Sequence, residues 1–556
     1  MKTVTQGVLS KKIQKGYECI NDIEKKSSNA MENNEKLLLK LIKENKNTYF
    51  GKKYGFEYIN SAKEYMTSVP LSEYEDYEEY IEKIIKGKEN PISVREVNHF
   101  AKSSGSAGNP KKVPMCLAGT DMFADYTLNL CFASMDRDLG KSWKKSRGVS
   151  LASIQFENIG EITYGAISGK VREKYKEVEH YIYTSPLIAT YPTEEMDIKY
   201  LHLRYALAEE DLSFMTCSFL NLAVDAMEYL EKNWQVIVKD IGTGIIDENI
   251  KIPPKIKEDL LSEINPMPER AKKLKVEFEN GFEGILRRIW KEFKFIYGIG
   301  GGGFKVYADK MRKYLGDAKM HLSVYSASEG IFATHLFPES HDMVLILDGA
   351  FYEFIDINDE KKIPITLDKV KKDQDYELVI TNLSGLYRYK IKDVIKVTGF
   401  LGTCPLVRFL YRKNQVIDMA GEKTNDDILN KAIFSFNQRV VFDLVEYSIY
   451  ADYNYSPGRY IVFIEGENFK GEKDICKMAR ILDEEIGRAN PSYRDKLKKK
   501  ILSPLKLYFL RKNSFSIYRQ LMVAQGGAVT QLKPVRVIDN PFRENFFFSM
   551  IEENPF

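Results

Sequence analysis

The sequence predicts an α/β fold: a large N-terminal domain of β-sheets flanked by helices, followed by a small mobile C-terminal α+β domain. Three observations predict it: the length of 556 residues, the alternation of short β-rich runs with helical stretches up to about residue 400, and a change of pattern near residue 420. At roughly 100 to 200 residues per domain, such a chain holds more than one folding unit. Its 44% hydrophobic and 29% charged residues are ordinary for a globular protein.

The N-terminal domain is predicted from two kinds of periodicity. Residues 8–46 carry apolar side chains at helical spacing, among them Ile20, Ile23 and Leu38, which predicts amphipathic helices packed on a core. Further along, helices are expected over 203–238 and 304–315. Between them lie strand-like runs with the sequences SVREVNHFA, FKFIYGIG, MHLSVYSA and DMVLILD. This rhythm is typical of an α/β sheet, in which ligands usually bind at the loops that follow the strands.

A polar segment, RKNQVIDMAGEKTND (412–426), marks the predicted domain boundary. We therefore divide the chain into domains 1–420 and 421–556. The second domain contains a helix-like segment, strands at VVFDLVEYSIY and RYIVFIEG, and a helix over 473–488. A small domain after a large one is typical of a lid that closes over a site.

Composition and charge exclude several classes of function. The 82 lysines and arginines against 79 acidic residues leave a net charge of +3, too small to attract nucleic acid or membrane strongly. The six cysteines form no CxxC pair and the six histidines no metal-binding motif, which argues against a zinc site or a disulfide framework. There is neither an apolar signal core nor a membrane-spanning run. We expect a cytoplasmic protein, a monomer or weak oligomer, without nucleic-acid or membrane partners.

The segment KSSGSAGNPKK (102–112) has the composition of a phosphate-binding loop. Glycines let the backbone approach an anion, hydroxyls add hydrogen-bond donors, and a lysine adds charge. A flexible surface loop is the alternative interpretation. It is not a Walker A loop, because GxxxxGK[ST] is absent.

Two further motifs are ambiguous by themselves. Gly298–Gly303 satisfies GxGxxG, but four consecutive glycines meet that pattern almost automatically, and the strand that follows runs into YSASEG (325–330) where a dinucleotide site requires an acidic residue. We therefore disfavour an NAD site.

The segment GLYRYKIKDV (385–394) alternates aromatic and basic residues up to one aspartate, which fits either an amphipathic strand or a binding site.

The order of these elements along the chain resembles the adenylate-forming superfamily and, within it, the Gretchen Hagen family of acyl acid-amido synthetases, named from auxin-responsive plant genes. SSGSAGNPKK resembles the phosphate loop of that family, YSASEG its Tyr-x-x-Ser-Glu motif, and TNLSGLYRYKIKDVIKVTGF its most diagnostic stretch. Similar stretches extend over nearly the whole chain: TYFGKKYGF, SVPLSEYEDYEEYIEKIIKGKEN, LEKNWQVIVKDIGTG, FYEFI, GEKTND, NPSYR and QLKPVR.

The resemblance implies an ATP-dependent, AMP-forming ligase. Such an enzyme activates a carboxylic acid as an acyl-adenylate, releases pyrophosphate, and transfers the acyl group to an amine, here expected to be an amino acid. The implied cofactors are ATP and Mg²⁺, and the N-terminal domain would be the adenylation domain, with the nucleotide in the crevice before the lid. The alternatives are an acyl-CoA synthetase of the same superfamily and a non-catalytic module that binds a small acid or nucleotide. Retention of Glu329, Asp393 and Lys533 argues against the module.

The resemblance also implies roles for particular residues. Glu329 would hold Mg²⁺, Asp393 would accept both ribose hydroxyls, and Tyr325 would lie against adenine. Lys423 and Lys533 would be the catalytic lysines that approach the α-phosphate. The full set of implied cofactor-binding residues is Ser103, Ser104, Gly105, Ser106, Gly108, Lys111, Tyr325, Ser326, Ala327, Ser328, Glu329 and Asp393.

Three details of this assignment depart from the family or stay open. Either Lys111 or Lys112 would be the phosphate lysine, and Ala107 replaces a hydroxyl residue. Ser326 and Lys392 stand where many relatives carry glycine. The acid would sit between the YSASEG loop and the small-residue loop 165–169.

Overall fold

The computed structural model describes residues 2–87, 90–102, 111–301, 304–359, 361–413, 417–420, 422–525 and 532–555. These residues form two compact units, each of which contains helices and β-strands. The first contains the described residues up to 391 together with 396–408, and the second contains 392–395 and the described residues from 409 onward. The predicted α/β class is confirmed. No helix in these ranges is long and apolar enough to cross a membrane.

The first unit is built from three sheets and the helices around them. Its helices are α1 (Lys2–Ser27), α2 (Ala30–Asn45), α3 (Tyr49–Lys53), α4 (Ala62–Ser68), α5 (Glu78–Ile85), α6 (Leu117–Ala124), α7 (Leu130–Leu139), α8 (Ile167–Glu173), α9 (Lys176–Ile182), α10 (Leu187–Thr190), α11 (Ile198–Ala208), α12 (Leu220–Thr243), α13 (Pro254–Glu263), α14 (Pro268–Glu279), α15 (Ile285–Ile289) and α16 (Lys305–Leu315).

The strands of these sheets are β1 (Val97–Lys102), β2 (Lys112–Cys116), β3 (Gly148–Ser150), β4 (Phe156–Ile159), β5 (Ile162–Gly165), β6 (Phe214–Phe219), β7 (Phe295–Ile299), β8 (Lys319–Leu322), β9 (Tyr325–Ala327), β10 (Gly330–Thr334), β11 (Met343–Leu345), β12 (Ala350–Asp356), β13 (Ile365–Thr366), β14 (Asp375–Asn382), β15 (Tyr389–Leu401) and β16 (Cys404–Arg412). The strand orders are β2-β1-β5-β4, β3-β6-β7-β8 and β13-β12-β14-β15-β16-β11-β10-β9.

The parallel sheet β3-β6-β7-β8 corrects one sequence prediction. The single helix expected over 203–238 is interrupted: α11 ends at Ala208, β6 occupies Phe214–Phe219, and α12 starts at Leu220. Strand β6 pairs in parallel with both β3 and β7, and Phe214 and Met215 are fully buried. A central parallel strand is buried on both faces and reads as an apolar run, which periodicity cannot distinguish from part of a buried helix.

Buried polar contacts attach residues 65–77 to the eight-stranded sheet. Arg388, only 5% exposed, donates from Nε and Nη2 to both carboxylate oxygens of Glu353 and from Nη1 to the Val69 carbonyl at 2.6 Å. The Tyr77 hydroxyl donates to the Tyr387 carbonyl at 3.0 Å. Tyr387 and Arg388 belong to the diagnostic GLYRYKIKDV segment, so this part of the motif holds the fold together.

The second unit packs helices around one sheet, with strand order β19-β18-β17-β20. Its elements are α17 (Asp426–Val440), β17 (Asp443–Asp452), β18 (Arg459–Glu467), α18 (Ile475–Ala489), α19 (Pro491–Lys498), β19 (Ser503–Phe509), α20 (Ser514–Ala524), β20 (Val537–Ile538) and α21 (Pro541–Ser549). The strands and helices predicted after residue 426 are therefore present.

Candidate active site

Asp393, the predicted ribose ligand, forms a bidentate ion pair with Arg412 in the second unit. Arg412 Nε donates to Asp393 Oδ1 at 2.6 Å and Nη2 donates to Oδ2 at 3.3 Å. Asp393 lies in β15 and is 1% exposed, while Arg412 is the last residue of β16 and its side chain is 30% exposed. A planar guanidinium suits this fork geometry and offsets the cost of burying the carboxylate. The carboxylate is therefore held in a fixed orientation.

Glu329, the predicted metal ligand, lies in the turn between β9 and β10. It is 8% exposed, and its Oε1 accepts a hydrogen bond from the Tyr389 hydroxyl at 3.3 Å. Its backbone carbonyl accepts from Asn382 Nδ2 at 2.7 Å, which fixes the turn. The described residues contain no group of three or more potential metal ligands among His, Cys, Asp and Glu. A single carboxylate nevertheless fits Mg²⁺, which is commonly held by one or two carboxylates together with phosphates and waters.

The other residues of the YSASEG segment have structural contacts. The Tyr325 ring is 5% exposed and lies 5.4 Å from the Phe332 ring, centroid to centroid. Ser328 Oγ donates to the Lys102 carbonyl at 3.3 Å, which links the turn to β1. Ser326 and Ala327 are half-buried. The adenine contact of Tyr325 stays a prediction.

Most of the predicted phosphate loop, including Ser103, Ser104, Gly105, Ser106 and Gly108, lies outside the described residues. Its flanking strands β1 and β2 pair in antiparallel register, with Lys102 opposite Lys112. Lys111 Nζ lies 4.7 Å from the centre of the Tyr74 ring, whereas Lys112 Nζ lies 3.9 Å from Glu82 Oε1. Both candidate phosphate lysines therefore stand at the described end of this loop.

Lys423 occupies a sharp turn in the second unit. Its side chain is exposed, and its backbone has a φ of +48°, in the left-handed region that few residues other than glycine adopt. The residues on both sides of it, Glu422 and Thr424, are at most 3% exposed. Lys423 is thus an exposed residue between two buried ones.

Lys533 is exposed and lies between α20 and β20. Its charge acts on Asp426, the first residue of α17: burial raises the pKa of Asp426 to about 6, while Arg536 and Lys533 lower it. Arg536 is itself buried and paired with Glu446. The positive charge of Lys533 therefore favours the ionised form of this buried carboxyl group.

A small recess in the first unit adjoins Glu329. It has room for about one water molecule, and apolar side chains dominate its lining. Gly119 belongs to the lining, and a Cβ placed there would come within 2.5 Å of Met115 Sδ. The residues that line it are Met115, Gly119, Met122, Glu329, Gly330, Ile331, Gly349, Asn382, Leu383 and Ser384.

Gly165 and Gly169 stand at the two ends of the predicted acid-binding loop 165–169, and close packing explains why both are glycine. A Cβ at Gly165 would lie 2.9 Å from Phe156 Cδ1, and one at Gly169 would lie 2.8 Å from Ile154 Cγ2. Similarly, a Cβ at Gly298 would meet Cys217 Sγ at 2.7 Å, while Gly302 and Gly303 lie outside the described residues. Close approach between elements is sufficient to explain these small residues.

Comparison with known proteins identifies the family. Residues 19–320 match the GH3 family N-terminal domain, residues 343–412 the GH3 family central domain, and residues 428–541 the GH3 family C-terminal domain. The chain belongs to the GH3 family. This confirms the resemblance to the Gretchen Hagen proteins.

Named relatives of this family are similar along nearly their whole length. The jasmonoyl–L-amino acid synthetase GH3.5 of Oryza sativa subsp. japonica is 26% identical, covering 94% of each chain. The 4-substituted benzoates-glutamate ligase GH3.12 of Arabidopsis thaliana is 24% identical, covering 92% of this chain and 93% of the relative.

Solved structures share the fold. The GH3.15 acyl acid amido synthetase superposes with a TM-score of 0.83 at 22% identity, covering 96% of each chain. A 2-hydroxyisobutyryl-CoA ligase superposes with a TM-score of 0.52 at 12% identity, covering 95% of this chain and 90% of that chain.

Sequence reasoning missed the partners of the predicted residues. Arg412 lies in the polar boundary segment and Tyr389 among the alternating aromatic residues of 385–394, but neither pattern indicates the carboxylate that each side chain contacts. The available signal was an arginine at the end of a strand next to the one that carries Asp393. Charge pairing across neighbouring strands cannot be assigned until the register is known.

Proposed function

We propose that this protein is an ATP-dependent acyl acid-amido synthetase that joins a carboxylic acid to an amino acid. The observation that carries the proposal is membership of the GH3 family over residues 19–320, 343–412 and 428–541, together with the buried, hydrogen-bonded positions of Glu329 and Asp393. Its relatives are named for amide-forming reactions of this kind. The acid would be activated as an acyl-adenylate with release of pyrophosphate.

The chemistry explains why these residue types are needed. When a carboxylate oxygen attacks the α-phosphate of ATP, negative charges approach each other, and fixed cations must stabilise the charge that develops. In this proposal Lys423 and Lys533 supply positive charge at the α-phosphate, and Lys111 meets the β- and γ-phosphates with the loop 103–108. Asp393, oriented by Arg412, accepts the ribose hydroxyls.

Mg²⁺ would be bound by Glu329 and would neutralise the phosphates of ATP. The chain's own part is to hold the carboxylate in place, through the Tyr389 hydroxyl and the fixed turn that carries it. The acid would sit between the turn that carries Glu329 and the predicted loop 165–169. We further propose that residues 421–556 act as the mobile domain.

The deciding experiment is analysis of products by mass spectrometry. The purified protein is supplied with ATP, Mg²⁺, a panel of carboxylic acids and either amino acids or CoA. We expect AMP, pyrophosphate and an acyl-amino acid, and acid-dependent exchange of labelled pyrophosphate into ATP. Formation of ADP and orthophosphate would refute adenylation. Formation of acyl-CoA without any amide would refute an amino acid as the acceptor.

Lys533 offers a test at the level of one residue. A charge used only while the acid attacks ATP lowers kcat together with kcat/KM when it is lost, typically on the order of 10²-fold or more. Lys533→Ala should therefore be nearly inactive with ATP and acid, yet should form amide from synthetic acyl-adenylate at a rate near wild type. Equal loss in both assays would assign Lys533 a structural role.

A further inference from the structure

The turn that carries Lys423 is closed by hydrogen bonds at its base. The Ile417 N–H donates to the Thr424 carbonyl at 2.9 Å, and the Thr424 N–H donates back to the Ile417 carbonyl at 2.8 Å. The Glu422 carboxylate accepts from the backbone N–H groups of Met419 at 2.9 Å and Ala420 at 2.7 Å. These bonds shape the turn but do not reach the rest of the unit.

Two side chains from elsewhere in the second unit fix the residues on both sides of Lys423. The hydroxyl of Tyr460, on β18, lies 2.6 Å from Glu422 Oε1 and 2.8 Å from Thr424 Oγ1. Nδ2 of Asn490, the residue before α19, donates to the Glu422 carbonyl at 2.9 Å and to Thr424 Oγ1 at 3.0 Å. Each of the two side chains therefore contacts both neighbours of Lys423.

The contacts of Tyr460 and Asn490 with both neighbours of Lys423 restrict the backbone conformation of Lys423. A left-handed φ is unfavourable for a residue with a Cβ and persists only where the surroundings determine it. Glu422, Thr424, Tyr460 and Asn490 are all at most 5% exposed, so their hydrogen bonds are protected from water. Burial, and then the Glu422 carboxylate, raise the pKa of Tyr460 above its ordinary value, so its hydroxyl stays a donor at any working pH.

We propose that Tyr460 and Asn490 are positioning residues for Lys423, holding it in the left-handed conformation that aims its ammonium group at the reacting phosphate. The inference rests on the proposed function, because it requires Lys423 to act on ATP. The rate of the reaction should fall steeply when the backbone of Lys423 moves, since a displacement near 1 Å can cost about 10²-fold in catalysis.

The test compares two matched tyrosine variants. Tyr460→Phe removes the hydroxyl that contacts Glu422 and Thr424. Tyr493→Phe is the control: Tyr493 is equally buried, stacks on Tyr460 with centroids 4.8 Å apart, and donates to the Asp483 carboxylate at 2.6 Å. We expect Tyr460→Phe to lower kcat for pyrophosphate release about tenfold with the KM for ATP within twofold of wild type. Tyr493→Phe should keep its kcat within twofold at a temperature where both variants are folded.

Asn490→Asp provides a second variant. It retains the oxygen that accepts from the Ser492 and Tyr493 N–H groups at the start of α19 but removes both donors to the turn. It should lower kcat by about tenfold or more. Folding of each variant is checked by thermal unfolding before its activity is measured.

A double variant separates positioning from general support of the fold. On a Lys423→Ala background, Tyr460→Phe should reduce the remaining rate by less than twofold, because no lysine is left to position. A full tenfold loss on that background, or equal kcat values for Tyr460→Phe and Tyr493→Phe, would overturn the inference. A wild-type protein that releases no pyrophosphate would overturn the proposed function and the inference together, so the two failures are distinguishable.

Discussion

Two buried carboxylates among the predicted site residues, Asp393 in the second unit and Glu329 in the first, differ in how their charge is balanced. Asp393 is paired with the guanidinium of Arg412 through two hydrogen bonds. Glu329 accepts a hydrogen bond from the neutral hydroxyl of Tyr389, and no cation of the described residues forms an ion pair with it. Because a buried charge is costly unless it is paired, the difference suggests different ligands. The arginine pair is compatible with the proposed role of Asp393 toward the ribose hydroxyls, and the lack of one is compatible with the proposed role of Glu329 toward Mg²⁺.

The largest effect is expected from Glu329→Gln, which keeps the side-chain shape and removes the charge. If Glu329 binds Mg²⁺, pyrophosphate release should fall on the order of 10²-fold or more, and half-saturation should require more Mg²⁺. Steady-state rates over a Mg²⁺ titration provide the measurement. Glu377→Gln, at another buried carboxylate on β14, is the control. An unchanged Mg²⁺ dependence in Glu329→Gln would show that Glu329 does not bind Mg²⁺, and the proposed difference between the two carboxylates would be wrong.

The next effect concerns Asp393→Asn. Exchanging two charge-assisted hydrogen bonds to the ribose for ordinary ones should cost about 2 kcal/mol, or about 30-fold in ATP affinity. Titration calorimetry measures it. Asp452→Asn is the matched control, since Asp452 is also buried and paired with an arginine, Arg459 Nε at 3.0 Å. Equal ATP affinity in the two variants would show that the Asp393 carboxylate serves the fold alone.

Arg412→Lys tests whether orientation as well as charge matters at Asp393. Lysine keeps the positive charge but lacks the planar fork, so Asp393 should become less well oriented and ATP affinity should fall about tenfold. The same change on an Asp393→Asn background should have a smaller effect, because the pair is already broken. Additive effects in this double-mutant cycle would contradict the role of Arg412 as the partner of Asp393.

The smallest effect is expected from Tyr389→Phe. Its hydroxyl makes one 3.3 Å hydrogen bond to Glu329, and a bond of this kind contributes about 0.5 to 1.5 kcal/mol. The Mg²⁺ concentration at half-saturation should therefore rise about threefold with ATP affinity in the absence of Mg²⁺ unchanged. A loss of affinity without Mg²⁺ would indicate that Tyr389 acts on the nucleotide rather than through Glu329.

Periodicity and composition were sufficient to predict the fold class and most elements. The helices of residues 8–46 and 304–315 and the strands near 97–102, 295–299 and 343–345 lie where the pattern placed them. The prediction was wrong at β6, because Phe214 and Met215 lie on a central strand buried on both faces. Burial there depends on β3 and β7, which are distant in sequence.

The candidate site was predictable only as a set of motif residues. Their partners depend on register and on contacts between distant segments. Arg412 reaches Asp393 because two strands align, and Tyr460 reaches Glu422 across 38 positions of the chain. Likewise, Gly165 and Gly169 resemble a ligand loop in sequence, whereas their close contacts with Phe156 and Ile154 become visible only in three dimensions.

The attachment of Arg388 to the Val69 carbonyl has a consequence for synthesis of the protein. The two residues are 319 positions apart. At roughly 5 to 20 residues per second, translation needs roughly 16 to 64 s to add that length of chain. During this interval the segment 65–77 has emerged without the arginine, the Tyr387 carbonyl and the sheet that complete its hydrogen bonds. The segment 65–77 therefore completes these hydrogen bonds only after residues 387 and 388 have left the ribosome.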